Sequence, residues 1–286
     1  MTAPSAIENR QWKIEHSLST IVVKLGGTQG VDFSAICTDA AGLLMRGQKL
    51  VLVHGGSAEA SALGLSLGYP PRFIVSPSGF NSRYTDRRTL EIFAMAVNGK
   101  VNTLLVEQLQ GLGINALGLS GLDGRLLQAA RKQSVQSLEN GKRKIIHDDY
   151  TGKIEQVNVP LLVSLLESGY TPVIAPLAVS AAGEALNVDA DRVAASVAAA
   201  LHAGTLLLLT AVPGLLRVFP DEASLIRDLP RSKLAEALGF AEGRMKKKVL
   251  GAQEALTGGV GRVIIADGRL QNPISQALAG HGTLIA

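Results

Sequence analysis

TIVVKLGGT, at residues 20–28, decides the fold of this chain, and LVLVHGGS, at residues 50–57, repeats its pattern. Each stretch begins with a continuous apolar run rather than an alternating one, which predicts a strand buried on both faces of a sheet. Each run then reaches two glycines, where the backbone can turn sharply and a ligand can approach it closely. The pair predicts a parallel sheet with a ligand site at the carboxyl ends of its strands.

Short apolar runs recur along the chain, mostly separated by segments of helical length, and this alternation predicts an α/β fold. The runs lie at residues 20–25, 49–53, 114–119, 171–175, 205–210 and 262–266. Between residues 121 and 158 the pattern changes to short alternating pieces. Turn signals at Asn140-Gly141 and Thr151-Gly152 predict β-hairpins that project from the sheet. A cluster of Pro, Ala, Ser and Gly at residues 176–183 predicts the division of the chain into two halves.

Composition limits the possible functions. The net charge of +4 favours anions such as nucleotides or an acidic partner, whereas scattered basic residues without a recognisable motif argue against nucleic acid. The single Cys37 rules out an internal disulfide and a cysteine metal cage, as expected for a cytoplasmic protein. Residues 193–216 carry no Asp, Glu, Lys or Arg, but their Ala-rich and Leu-rich halves predict a buried helix and strand rather than a membrane span.

Two positions suit anion chemistry. Lys24 stands at the end of the first predicted strand, where its ammonium group can reach phosphoryl oxygens while glycine amides approach the same anion. In NVDADR, at residues 187–192, Asp189 is a candidate helix cap, and Asp191 could hold two lysines by charge-assisted hydrogen bonds. Two structural alternatives stay open: Lys24 could be a solvated lysine beside an ordinary Gly-Gly turn, and Asp189 could be only a helix cap.

Two basic stretches add candidates. GRMKKK, at residues 243–248, precedes a helix with an apolar face, although such a charge run is commonly a solvated surface. In SRYTD, at residues 82–86, Arg83 could bind a substrate carboxylate through two hydrogen bonds, or it could pair with Asp86 at the surface. The sequence contains no Walker A loop, and no GxGxxG follows the first strand.

Eight motifs, taken in order, resemble the amino-acid kinase family over residues 20–286. They are VKLGG, VHGG, SRYTD, GLSGLDGR, YTGKI, NVDAD, TAVPGL and GRMKKKV. Within the family they are most similar to the acetylglutamate kinase branch. Residues 121–125, 213–216 and 220–225 are closest to its carrier-linked aminoadipate kinases. The resemblance implies an open three-layer αβα sandwich with a mainly parallel central sheet and β-hairpin excursions.

The same resemblance implies a tail at residues 1–19, a carboxylate-substrate half at 20–178 and an ATP-binding half at 179–286. It implies that Lys24 stabilises the transferring phosphoryl group, that Lys248 neutralises charge on the leaving side, and that Asp191 orients both lysines. Its substrate-binding residues, which include the pair Arg83 and Asn187 for an α-carboxylate, are Gly26, Gly27, Gly55, Gly56, Ser57, Arg83 and Asn187. Ser57 departs from the branch, which usually carries a third glycine there.

The nucleotide-binding residues implied by the resemblance are Thr210, Val212, Pro213, Gly214, Leu215, Arg244 and Met245. ATP and Mg²⁺ are the implied cofactors, with Mg²⁺ brought by ATP and no metal ligand supplied by the protein. The implied partner is a small acidic amino-group carrier protein that bears the substrate, and relatives suggest a homodimer. Basic residues of the hairpin region could face such a carrier: Arg125, Arg131, Lys132, Lys142, Arg143 and Lys144.

The implied reaction is phosphorylation of the side-chain carboxylate of N-blocked 2-aminoadipate, which gives an acylphosphate for lysine biosynthesis. The glutamate analogue, which serves arginine biosynthesis, remains open, because one methylene is worth only about 1–3 kcal/mol of discrimination. Two alternatives remain: an acetylglutamate kinase that acts on free N-acetylglutamate, and a non-catalytic sensor of nucleotides or amino acids. No general base is expected, since the attacking carboxylate is already ionised at neutral pH.

Overall fold

The computed structural model describes residues 20–26, 33–77, 79, 81–139 and 142–286. The predicted tail at residues 1–19, Gly27 and the turn Asn140-Gly141 lie outside the described residues. Within this part of the chain, strands and helices alternate as the sequence predicts. No helix found there is long and apolar enough to span a bilayer.

The central sheet has eight strands in the order β14-β16-β15-β13-β1-β2-β10-β5. All neighbours run parallel except β15 and β16. Its strands are β1 (Thr20–Leu25), β2 (Lys49–His54), β5 (Ala116–Ser120), β10 (Thr171–Ala175), β13 (Thr205–Thr210), β14 (Asp228–Leu229), β15 (Arg262–Asp267) and β16 (Thr283–Ile285). The six predicted runs are therefore confirmed as strands of one mainly parallel sheet.

The remaining strands form three smaller sheets. A four-stranded sheet has the order β12-β11-β6-β9, and two hairpins pair β3 with β4 and β7 with β8. Their bounds are β3 (Phe73–Val75), β4 (Asn81–Arg83), β6 (Leu127–Arg131), β7 (Val135–Glu139), β8 (Lys142–Ile146), β9 (Gly152–Val157), β11 (Leu177–Val179) and β12 (Ala185–Asn187). The hairpin predicted around residues 140–141 is confirmed by the antiparallel pairing of β7 with β8.

One predicted turn is wrong. Gly152 is the first residue of β9 and pairs with Arg131, while Thr151 forms a bridge to Asn187. The glycine serves close packing instead, because a Cβ there would come within 3.0 Å of the side chains of Ala129 and Leu186.

Helices cover both faces of the central sheet. They are α1 (Phe33–Met45), α2 (Ser57–Ser66), α3 (Arg87–Ala94), α4 (Thr103–Gly111), α5 (Val159–Glu167), α6 (Ala190–Ala200), α7 (Leu234–Phe240), α8 (Gly243–Thr257) and α9 (Pro273–Leu278). A π-helix, Met95–Asn102, joins α3 to α4. The helix and strand predicted within residues 193–216 are confirmed as α6 and β13.

Successive residues of the central strands enter opposite cores, as the pleat of a strand requires. In β1, Val22 packs into a core beneath α5, α6 and α8, whereas Ile21 and Val23 pack into another beneath α1, α4 and α9. Two cores around one sheet make the three-layer sandwich. The alternation also fixes the direction of the next residue, Lys24, which follows Val22 on the face of α6 and α8.

Candidate active site

The centre of the candidate site is one carboxylate shared by two lysines. Lys24 lies at the end of β1, Asp191 in the first turn of α6, and Lys248 within α8. The Nζ of Lys24 lies 2.9 Å from Oδ1 of Asp191. The Nζ of Lys248 donates to Oδ1 at 3.0 Å and to Oδ2 at 2.9 Å. The structure thus brings together the three residues assigned catalytic roles by resemblance.

Asp189 positions Asp191. It is the N-cap of α6, and its Oδ1 accepts hydrogen bonds from the backbone amides of Asp191 and Arg192. The predicted cap is confirmed. Because Asp189 satisfies these amides, the side chain of Asp191 is left to face Lys24 and Lys248.

The cluster is buried and carries one net positive charge. Lys24, Asp191 and Lys248 are each between 6% and 7% exposed. Burial alone would raise the pKa of Asp191, but the two ammonium groups hold that pKa well below its usual range. Burial lowers the pKa of Lys248, and Asp191 opposes this shift only in part. An ionised carboxylate between two cations leaves an uncompensated charge that suits a phosphoryl group or another anion.

Gly26 follows the carboxyl end of β1, and Gly55 and Gly56 follow that of the neighbouring strand β2. A Cβ on Gly26 would come within 2.6 Å of the carbonyl oxygen of Leu209. A Cβ on Gly56 would come within 2.5 Å of Val97 in the π-helix. Both positions therefore require glycine for packing. The Gly55 amide donates to the carbonyl of Leu25 at 3.3 Å, so it serves the contact with the end of β1.

His54 lies beneath the second turn and is fully buried. Its Nδ1 lies 2.6 Å from the Gly55 carbonyl oxygen, and its Nε2 lies 3.0 Å from the side-chain amide nitrogen of Asn102. Burial lowers the pKa of His54 to about 4; the Gly55 hydrogen bond opposes the shift and Lys24 adds to it. The imidazole is neutral at physiological pH, and both of its nitrogens are occupied.

Arg83 ends β4 and is buried rather than paired at the surface with Asp86. That surface pairing is wrong: Asp86 caps α3 and accepts from the hydroxyl of Tyr69. A single terminal nitrogen of Arg83 donates to the carbonyl and hydroxyl oxygens of Ser57 and to the hydroxyl of Ser61. Ser57, the residue that replaces a third glycine, therefore anchors Arg83 to the start of α2.

Asn187 is held near Arg83 by Thr85. The Asn187 side-chain amide donates to the Thr85 hydroxyl at 3.0 Å, and that hydroxyl donates to the Arg83 carbonyl at 3.0 Å. The buried Asp149 carboxylate accepts from the backbone amide of Thr85 at 3.0 Å. The two residues assigned to a substrate carboxylate are thus linked by one threonine, and among the described residues no hydrogen bond joins their side chains directly.

The residues assigned to the nucleotide fall into two groups. Thr210 ends β13, and Val212 and Pro213 are half-buried in the loop that follows it. Leu215 is fully buried, and its amide donates to the hydroxyl of Thr283, so its contribution is structural. Gly214 is also packed against Thr283. At the start of α8, Arg244 is exposed and Met245 packs against the core.

The basic residues assigned to a partner differ in their exposure and in their contacts within the chain. Arg131 is committed within the chain: it pairs with Glu184 at 3.0 Å and stacks over the ring of Tyr150 at 3.7 Å. Arg125 donates to the Ser180 carbonyl at 3.4 Å. Arg125, Lys132, Arg143 and Lys144 are exposed, and the side chain of Lys142 lies outside the described residues.

Sequence reasoning missed Lys247 and the residues that hold Arg83 and Asn187. Lys247 Nζ donates to the Asn81 carbonyl at 2.9 Å and lies 3.7 Å from Asp189. This contact ties α8 to the hairpin that carries Arg83. The only sign of Lys247 in the sequence was its place in the basic run at residues 246–248. Ser61 and Asp149 gave none, and the SRYTD motif placed Thr85 near Arg83 without indicating its distant partners Asp149 and Asn187.

Known proteins similar to this chain are found both by sequence and by structure. A family model described as the amino acid kinase family matches residues 19–267. A LysW-aminoadipate kinase of Deinococcus radiodurans is 56% identical over 269 residues, which cover 94% of this chain and 92% of that protein. A LysW-aminoadipate kinase of Thermus thermophilus is 53% identical, over 93% of this chain and 99% of that protein.

Among solved structures, N-acetylglutamate synthase from Neisseria gonorrhoeae complexed with coenzyme A and N-acetyl-glutamate superimposes with a TM-score of 0.77 at 26% identity. The match covers 99% of this chain and 64% of that one. The likeness confirms the predicted α/β sandwich.

Proposed function

Because this chain belongs to the amino acid kinase family, we propose that it phosphorylates the side-chain carboxylate of N-blocked 2-aminoadipate borne by a small acidic carrier protein. The chain is a kinase, and its phosphoryl donor in this proposal is ATP. The product is an acylphosphate. The glutamate analogue is a second candidate substrate of the same site.

One observation carries the proposal: the buried cluster of Lys24, Asp191 and Lys248 with its single net positive charge. Phosphoryl transfer needs positioned charge more than covalent chemistry. Two ammonium groups fixed by one carboxylate can stabilise negative charge on the transferring phosphoryl oxygens and on the leaving side. Relatives more than half identical to this chain are named LysW-aminoadipate kinases, and this supports aminoadipate on a carrier as the acceptor.

Lys24 and Lys248 supply charge in this proposal, and Asp191 is a positioning residue. A carboxylate that shares Oδ1 between two ammonium groups keeps both nitrogens near one point in the cleft. The attacking group is ionised at neutral pH, so no proton has to be removed from it. His54, which follows the β2 residue paired with Lys24, is neutral and both of its ring nitrogens are occupied, which agrees with a reaction that uses no general base.

The cluster fits a nucleotide polyphosphate by its charge, and Thr210, Val212, Pro213, Arg244 and Met245 are the residues that we assign to the nucleotide. Mg²⁺ would neutralise part of the phosphate charge when it enters with ATP. The division of the chain into a substrate half, 20–178, and an ATP half, 179–286, belongs to the same proposal. Lys24 comes from the first half, and Asp191 and Lys248 come from the second.

The acceptor end of the cleft is assigned to Arg83 and Asn187. Arg83 uses one terminal nitrogen on Ser57 and Ser61, and its other donors suit an α-carboxylate that stays free when the α-amino group is blocked. The exposed basic residues Arg143 and Lys144 on the β7–β8 hairpin favour a negatively charged carrier. We also propose a homodimer and a cytoplasmic location.

The test traps the product. The chain is incubated with ATP, Mg²⁺ and hydroxylamine, and hydroxamate is measured with three acceptors: carrier-linked 2-aminoadipate, carrier-linked glutamate and free N-acetylglutamate. We expect hydroxamate with the carrier-linked acceptors and little with the free one. Lys24→Ala should abolish it, whereas Lys233→Ala, which removes an exposed lysine outside the cluster, should not.

Turnover of free N-acetylglutamate alone would make the chain an acetylglutamate kinase. Nucleotide binding without hydroxamate from any acceptor would favour the sensor and overturn the proposal.

A further inference from the structure

The peptide between Gly55 and Gly56 has no side chain on either side to fix its plane. Glycine tolerates many backbone conformations, so a Gly-Gly peptide can rotate unless another group restrains it. In this chain the restraint comes from a buried side chain on the core side of the peptide. The Gly55 carbonyl oxygen is 2.6 Å from Nδ1 of the fully buried His54.

The neighbours of His54 determine its tautomer. The side-chain amide nitrogen of Asn102 donates to the carbonyl of Val173 at 2.8 Å, so it is the nitrogen, and not the oxygen, that faces His54. An amide nitrogen can only donate, and Nε2 of His54 therefore accepts its hydrogen bond at 3.0 Å. The ring proton is left on Nδ1, where it is donated to the Gly55 carbonyl.

This bond sets the direction of the next amide. In a planar trans peptide the C=O and N–H groups point in opposite directions. Because the Gly55 carbonyl points at a buried ring, the Gly56 N–H points away from the core. Gly56 is the N-cap of α2, where backbone amides lack helical partners. Its turn also lies beside the end of β1, where His54 pairs with Leu25 and Val53 with Lys24.

We infer that His54 is a positioning residue which aims the Gly56 amide at the phosphoryl or carboxylate oxygens that react beside Lys24. The inference deepens the proposed function and rests on it. The π-helix braces the same turn twice, because Val97 packs against Gly56 and Asn102 holds His54. π-helical segments frequently occur at functional sites.

The test uses two substitutions that differ by one methylene. The side-chain nitrogen of asparagine stands two bonds from Cβ, as Nδ1 does, so His54→Asn can still donate to the Gly55 carbonyl. The terminal amide atoms of glutamine stand three bonds from Cβ, as Nε2 does, so the Oε1 of His54→Gln can accept from Asn102 in place of Nε2, while no donor is placed at the Gly55 carbonyl. We expect His54→Asn to keep kcat within about threefold of the parent and His54→Gln to lower it by about 10- to 100-fold, since one misaligned amide weakens transition-state stabilisation.

KM for ATP should change little in either variant, and their melting temperatures should fall alike. Asn102→Leu is the control for stability, because it removes the support of the ring but leaves the Nδ1–H donor on Gly55; its melting temperature should fall while kcat stays within about threefold of the parent. Equal kcat in His54→Asn and His54→Gln would overturn the inference, as would a kcat loss in Asn102→Leu that matches His54→Gln. The parent enzyme tests the proposed function, which fails if the parent forms no acylphosphate. The ratio of kcat between His54→Asn and His54→Gln tests the role of His54 alone.

Discussion

Asp191→Asn removes the one negative charge from the buried cluster and keeps its shape. Lys24 and Lys248 are both within 3.0 Å of Oδ1. Their ammonium groups are therefore at most about 6 Å apart, and at an effective dielectric constant of about 20 they repel each other by about 3 kcal/mol. In the parent, the carboxylate offsets this repulsion. In the variant, the repulsion and the desolvation of two unpaired cations remain.

We expect Asp191→Asn to lower the free energy of unfolding by about 3 kcal/mol and kcat by about 10²- to 10³-fold. Added nucleotide should raise the melting temperature of the variant by more than that of the parent, because a polyphosphate replaces the missing negative charge. Steady-state kinetics and thermal unfolding with and without ATP analogue and Mg²⁺ measure both effects. Parental kcat and melting temperature in the variant would refute the reasoning.

The carboxylate also predicts a pH dependence of stability. The folded pKa of Asp191 lies below the ordinary value of 3.8. The stabilisation that it contributes is therefore fully present above about pH 4 and is lost as the pH falls toward the folded pKa. Acid unfolding of Asp191→Asn should lack this component, which provides a second check on the same charge.

Three further predictions concern the lysine, the acceptor and the carrier. Burial lowers the pKa of Lys248 below its ordinary value of 10.5, so Lys248 loses its charge before the rising pH reaches 10.5. The kcat should therefore begin to fall on the alkaline side before pH 10.5, and a kcat that stays constant up to that pH would contradict the prediction. Arg83→Lys should raise KM for the acylated substrate about tenfold with a smaller change in kcat, since a point charge replaces a forked donor; an unchanged KM would place the α-carboxylate elsewhere. Arg143→Glu should raise KM for the carrier-linked substrate and weaken the salt dependence of that KM, while KM for ATP stays constant. Lys233→Glu, at an exposed lysine outside the hairpin, is the matched control. Equal salt dependence in Arg143→Glu and the parent would show that the carrier docks elsewhere.

The long strands were predictable because they are buried on both faces. Such strands need continuous apolar runs, and the runs at residues 20–25 and 205–210 are recovered to the residue. The three-residue strands β3 and β4 were not predicted, since three residues are too few for any periodicity to show. The π-helix, too, has no pattern of its own and is defined by a change of hydrogen bonding within a helical segment.

The site was predictable only in part. Spacing places Lys24 at a strand end and Asp191 in a first helical turn, but nothing local joins either of them to Lys248, 57 residues beyond Asp191. That connection came from the resemblance. Thr85 was missed because its contacts with Asp149 and Asn187 span 64 and 102 residues. Polar contacts between distant loops leave no periodic trace in a sequence.

Lys247 and Lys248 show why neighbours in one basic run have different roles. Successive residues of an α-helix point about 100° apart, so the two side chains of α8 leave it in different directions. Lys248 enters the buried cluster, whereas Lys247 reaches the Asn81 carbonyl on the hairpin that ends in Arg83. A hydrogen bond from a charged donor contributes about 1.5–3 kcal/mol, and less when it is half-exposed as this one is. The cluster of Lys24, Asp191 and Lys248 is thus fixed by burial, and the β3–β4 hairpin is tied to α8 by a weaker polar contact. The sequence predicts the first far better than the second because burial imposes a pattern along the chain and a single polar contact does not.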